Sequence, residues 1–90
     1  MKRYFVIFKG RVQGVGFRWR VLEICTDLHL TGYVRNLEND DVEAQIQGES
    51  DNLDSFFKQI YKPNRFIRID DYSIRQMPVK ENEKKFVVHQ

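Results

Sequence analysis

Apolar residues recur along the chain in two rhythms, one of period two and one near 3.6, and between them they predict the elements. Tyr4-Phe5-Val6-Ile7-Phe8 is aromatic or β-branched at every position. A strand covered on both faces needs that pattern, so the first strand is expected near the middle of a sheet. Phe17, Val21, Ile24, Cys25 and Leu28 fall at helical spacing and predict an amphipathic helix closing near His29. Thr31 to Asn36 reads as a second strand. Val42, Ala44 and Ile46 then alternate with Glu43, Gln45 and Gln47, the signature of a half-buried third strand. The polar stretch Leu37 to Asp41 between those strands is short enough for a hairpin. Gly48-Glu49-Ser50 ends the third strand and places Ser50 as the N-cap of a second helix. Asp51 and Asp54 follow where the helix dipole favours acids, and Leu53, Phe56, Phe57 and Ile60 form its apolar stripe. Pro63 stops that helix. Phe66 to Ile74 contains a fourth strand, and Phe86-Val87-Val88 adds a short edge strand.

The order is β-α-β-β-α-β with a possible fifth strand, an α+β arrangement of the ferredoxin-like kind. Two helices pack on one face of an antiparallel sheet. The 90 residues contain no linker-like stretch, so a single domain over 1–90 is expected. This topology serves many chemistries and decides none of them.

Composition narrows the choice a little. The chain is 41% hydrophobic and 31% charged, too apolar for a disordered polymer, and its formal net charge is +2. That excess favours anions slightly but falls short of a nucleic-acid footprint. No apolar run approaches a membrane span, and Met1-Lys2-Arg3 is not followed by a signal-peptide core, so no membrane is expected. Cys25 is the only cysteine, which excludes an internal disulfide and suits a reducing, cytoplasmic setting.

The chemistry concentrates in Gly10-Arg11-Val12-Gln13-Gly14-Val15-Gly16-Phe17-Arg18, where three glycines in seven residues exclude regular structure. Gly14 and Gly16 accept positive φ and let backbone N–H groups turn into one concavity, an anion nest. The helix beginning near Phe17 adds its positive dipole end and unpaired first-turn N–H groups. Arg18, in that first turn, carries a permanently charged planar fork that matches two phosphate oxygens. Loop, helix start and arginine together describe a phosphate cradle; the alternative is a strand-to-helix turn that merely needs glycines. Neither the P-loop nor the dinucleotide fingerprint fits, because Gly16 is followed by Phe17-Arg18 and no third glycine follows at the required spacing.

Those nine residues resemble the acylphosphatase signature. Gly32-Tyr33-Val34-Arg35-Asn36, followed by Val42-Glu43 and Gly48, resembles the same family's second motif at the right separation. The resemblance implies hydrolysis of small acyl phosphates to carboxylate and inorganic phosphate, without cofactor or metal. It implies Arg18 and Asn36 as the catalytic pair, with Arg11, Val12, Gln13, Gly14, Val15, Gly16 and Phe17 forming the substrate-binding loop. The residue chemistry agrees. An amide such as Asn36 can orient a water but cannot take a proton at neutral pH. Neither motif offers a nucleophile, a histidine base or a metal-ligand cluster, so the substrate must be one whose leaving group departs unaided. A carboxylate does.

Other residues read more plainly. Cys25 lies on the apolar stripe and is expected to be buried filling. His29 and His89 lack ligand-spaced partners and are assigned to the surface, as are Asp70-Asp71, while Asp40-Asp41 serves the hairpin. Trp19 either walls the pocket or packs. Arg35 points away from Asn36 in a regular strand, and stays outside the site. The chain departs from the family at Asn39-Asp40, where Asp-Gly is usual, at His29, where a helix-ending glycine is common, between Lys62 and Ile69, and in its Val88-His89-Gln90 tail. Two rival functions remain. An RNA-recognition module would need aromatics on its central strands, which Val42–Gln47 lacks. A non-catalytic phosphate carrier would resemble the family's domains inside larger carbamoyl-handling proteins. A monomer is the simplest expectation.

Overall fold

A computed structural model describes residues 1–90. The elements are β1 (Lys2–Arg11), α1 (Phe17–Asp27), β2 (Thr31–Asn36), β3 (Val42–Gly48), α2 (Ser50–Ile60), β4 (Arg68–Met77) and β5 (Phe86–Val88). The sheet order is β4-β1-β3-β2-β5, so the doubly apolar first strand does lie inside the sheet. β1 pairs antiparallel with β3 and β4, and β2 with β3. β5 joins β2 in parallel, which makes the five-stranded sheet mixed where four strands alone are antiparallel.

The period-two pattern sets which side each strand buries. Tyr4 and Phe8 of β1 meet the rings of Phe57 and Phe17, so the even-numbered side chains of β1 face the two helices. Val6, Phe8, Val34, Ala44 and Ile46 are buried there against Val21, Ile24 and Cys25 of α1 and Leu53, Phe56 and Ile60 of α2. Burying each large apolar side chain contributes about 1.5–3 kcal/mol before the entropy of ordering it is counted. The odd-numbered face is closed differently. To pass from one sheet edge to the other, the chain between β4 and β5 crosses beneath it, held by Arg3 and Gln47. Arg3 donates from Nη1 and Nη2 to Glu83 (2.8 and 3.2 Å), and Gln47 Oε1 accepts from Lys80 N at 2.8 Å. No helix is long and apolar enough to cross a membrane.

Three local expectations change. Ser50 is the first residue of α2 and not its cap; Glu49 in extended geometry holds the cap position, and no side chain caps the helix. One residue of offset moves a hydroxyl from outside a helix, where it reaches free N–H groups, to inside it, where it does not. The fourth strand runs to Met77, three residues beyond Ile74. His29, where a glycine is common, takes the left-handed geometry itself (φ 55°). Leu30 N then donates to Cys25 O (2.8 Å) and His29 N to Thr26 O (3.2 Å), and this pair of bonds closes α1 at Asp27.

Candidate active site

The loop between β1 and α1 leaves the sheet after Arg11 and turns twice through left-handed geometry, at Gly14 (φ 70°) and Gly16 (φ 81°). Gly16 is also the residue preceding the helix, and Arg20 N donates to its carbonyl at 3.0 Å as the first helical bond. None of the N–H groups of Gln13, Gly14, Val15 and Gly16 donates to a backbone carbonyl. The first-turn N–H groups of α1 are free by helix geometry. A Cβ added at either glycine would meet no atom within 4 Å. What excludes other residues from both positions is thus the backbone angle, at about 1–2 kcal/mol for an L side chain.

The loop is tied to the β2–β3 hairpin by one side chain. Gln13 Nε2 donates to both Leu37 O and Asp41 O at 2.8 Å, so the carboxamide clamps the turn that follows Asn36. The hairpin is held further by Asp41, whose carboxylate accepts from Lys9 Nζ (2.6 Å) and Asn39 Nδ2 (3.1 Å). Asp40 supplies the positive φ (74°) that the family's glycine would otherwise give.

Between loop, helix and hairpin lies a cleft of about 400 Å³ lined by Val12, Gly14, Gly16, Phe17, Arg18, Trp19, Asn36, Val88 and Gln90. Of the residues expected in the site, Arg18, Asn36, Val12, Gly14, Gly16 and Phe17 come together there. Arg11, Gln13 and Val15 do not line it: Arg11 ends β1 opposite Arg68, Gln13 is engaged with the hairpin, and Val15 packs against the core. Arg18 is the only charged side chain on the lining. It forms no salt bridge, and its Nη1 donates to His89 O at 2.7 Å, which leaves most of its five donors unused. Asn36 ends β2, and its Oδ1 is buried with no hydrogen-bond donor. A buried oxygen without a donor is costly in a protein at rest, so a water or ligand hydrogen is the natural partner.

Arg35 lies on the other face, as strand alternation requires, and donates to Glu43 Oε2 at 2.8 Å, as does the Tyr33 hydroxyl at 2.6 Å. The Arg35 bond holds the Glu43 carboxyl below its ordinary value against the upward push of burial. Burial first, and Glu43 second, push the Tyr33 phenol up to about 12. Cys25 is fully buried in the core, and burial raises its thiol well above the usual range. No three His, Cys, Asp or Glu side chains converge on one point. Trp19, open between walling and packing, is 67% exposed and walls the cleft. Val88, Gln90 and the His89 carbonyl went unanticipated, because their presence depends on β5 pairing with β2 more than fifty residues away in sequence.

Comparison with known proteins points one way. The acylphosphatase family model matches residues 4–88. The acylphosphatase of Clostridium acetobutylicum is 40% identical over 88 residues, covering 98% of this chain and 97% of its own. That of Clostridium beijerinckii is 43% identical with 98% of each chain covered. The crystal structure of acylphosphatase from Bacillus subtilis superposes with a TM-score of 0.92 at 31% identity over 100% of both chains.

Proposed function

Because the chain belongs to the acylphosphatase family, hydrolases of the carboxyl–phosphate anhydride, we propose that Arg18 and the loop amides hold the phosphoryl group while Asn36 positions the attacking water. One observation carries this reading: Arg18 and the unpartnered Oδ1 of Asn36 line the same cleft, beside a loop whose N–H groups are unspent.

The amides of Gly14, Gly16 and Phe17, the α1 dipole and the Arg18 fork meet the equatorial phosphoryl oxygens, where charge accumulates in a loose transition state. Asn36 Oδ1 accepts one hydrogen of a water in line with the scissile bond. The water oxygen bonds to phosphorus as the bond from phosphorus to the acyl oxygen breaks. The bond pair leaves with the carboxylate, a weak base that needs no acid. No side chain on the lining can accept a proton near neutral pH, so the water's proton passes to a phosphoryl oxygen of the substrate, giving dihydrogen phosphate. Gln13 acts as a positioning residue, fixing the loop against the hairpin that carries Asn36. All of these groups belong to one sheet-and-helix unit, read as a single domain over 1–90.

The test is hydrolysis of benzoyl phosphate with a chelator present. Turnover that survives the chelator, is abolished in Arg18→Ala together with inhibition by inorganic phosphate, and falls about 10²-fold in kcat for Asn36→Ala supports the assignment. Near-normal phosphate inhibition in Arg18→Ala, or unchanged kcat in Asn36→Ala, would remove that residue from its role.

A further inference from the structure

The cleft is larger than a phosphoryl group needs, and its remaining wall has a definite chemistry. Trp19 follows Arg18 on the first turn of α1 and leaves 67% of its surface uncovered while lining the cleft. Val88 of β5 lines it too, and Val12 and Phe17, each 1% exposed, contribute from the core. The apolar surface open to a ligand is therefore mainly the indole and Val88. Of the polar groups there, Arg18, Asn36 and the glycine backbone are assigned to phosphate and water, and the one left over, Gln90, is an uncharged amide. On its far side the indole borders a groove that also includes Leu22, Glu23, Thr26 and Asp27.

Two physical consequences follow. An acyl group lying on the indole removes a large apolar area from water, and an aromatic one adds ring-on-ring attraction. An acyl group with its own carboxylate or second phosphate finds no cation, since Arg18 is engaged with the phosphoryl group, and the next groove offers Glu23 and Asp27. From this we infer that Trp19 and Val88 form an acyl subsite that selects neutral, apolar acyl phosphates, aromatic ones above all, over acyl groups that carry a further anion. The inference rests on the proposed phosphate site and names the substrate class that site serves.

Steady-state kinetics with acetyl, benzoyl and succinyl phosphate on the wild type, Trp19→Ala and Trp19→Phe test it. The expected result is a benzoyl-to-acetyl ratio of kcat/KM that falls about tenfold in Trp19→Ala, mainly through KM, and is largely retained in Trp19→Phe. Succinyl phosphate should be the poorest substrate of the wild type. Comparing ratios between variants cancels the unequal intrinsic reactivity of the anhydrides. Trp19 is the only tryptophan, so its fluorescence reports binding without turnover. Phenylphosphonate should shift or quench the emission, and methylphosphonate at equal occupancy should do so far less. A benzoyl-to-acetyl ratio unchanged by Trp19→Ala, or equal emission changes with both phosphonates, overturns the subsite and leaves the hydrolase reading intact. If the wild type hydrolyses no acyl phosphate, the hydrolase reading falls instead, and the fluorescence comparison still decides the subsite.

Discussion

Asn36 and Arg18 differ in what they can lose. Arg18 brings a charge and several donors, one of them spent on the His89 carbonyl, while Asn36 brings a single buried acceptor. Removing the Asn36 amide should therefore spare ground-state binding and lower turnover. Replacing it by a carboxylate should do more. On the proposed placement, Asn36→Asp keeps the shape but sets a negative charge beside the phosphoryl group, and Coulomb repulsion acts on both ground and transition states. Inorganic phosphate should inhibit Asn36→Asp at least about tenfold more weakly than Asn36→Ala at pH 7, as a repulsion of about 1.4 kcal/mol requires. Equal inhibition constants would show that Asn36 does not face the phosphoryl group. Cys25 illustrates the opposite case. Its thiol is enclosed by the core and raised by burial, so it is a poor nucleophile. A thiol reagent should leave the folded protein unlabelled and fully active, and react only as urea unfolds it; rapid labelling of the native chain would contradict that placement.

At the scale of elements, the local rules were legible where one residue type had one physical job. A run of aromatic and β-branched residues marked β1, period-two alternation marked β3, and Gly14 and Gly16 marked a loop that does turn through positive φ. They failed where the job could be done by another residue or by a distant one. His29 and Asp40 take left-handed geometry without being glycine, so neither the helix end nor the hairpin needed the family's usual residue. The tail's share of the cleft was hidden because parallel pairing of β5 with β2 leaves no local pattern. The Schellman end of α1 yields a prediction with a sign. His29 holds φ 55°, a conformation that disfavours an L side chain by about 1–2 kcal/mol. Glycine removes that strain but adds about 0.5–1 kcal/mol of unfolded-state entropy. The balance favours His29→Gly by about 0.5–1 kcal/mol, a rise of roughly 4 °C in Tm for a domain of this size. Activity should be unchanged, since His29 lies at the far end of the helix from Arg18. A fall in Tm would mean that the His29 side chain makes a contact worth more than its strain.

For the molecule as a whole, the helix-covered face is stabilised by apolar burial, and the opposite face by a buried charge network. Arg3 is 2% exposed, with its Nε donating to Gln45 Oε1 (2.9 Å), Nη1 to Gln47 Oε1 (3.1 Å) and both Nη groups to Glu83. Glu83 sits in the segment that crosses from β4 to β5, so the pair fastens the crossover, and through it the tail that lines the cleft. Burial pushes the Glu83 carboxyl up, but hydrogen bonding to Arg3 and Thr31 and the charges of Arg3 and Lys80 together outweigh it, and the net shift is downward. A carboxyl depressed in the folded state contributes stability above its unfolded pKa of about 4.3, and loses it as pH falls through the folded value. Glu43, held down by Arg35, behaves the same way. The urea midpoint should thus be flat near neutrality and fall below about pH 4.5. Arg3→Ala separates the two carboxyls. It leaves Glu83 partly buried without its cation, which costs about 3 kcal/mol at pH 7, and it leaves Glu43 untouched. Without Arg3, burial dominates at Glu83 and protonation relieves the cost. The gap between wild type and Arg3→Ala should therefore narrow as pH drops from 7 to 3, because the term shared through Glu43 cancels. Urea unfolding of both proteins across that range measures the gap directly. A gap of constant size would mean that Arg3 stabilises the sheet by packing its alkyl stem, with the Glu83 pair contributing nothing that titrates.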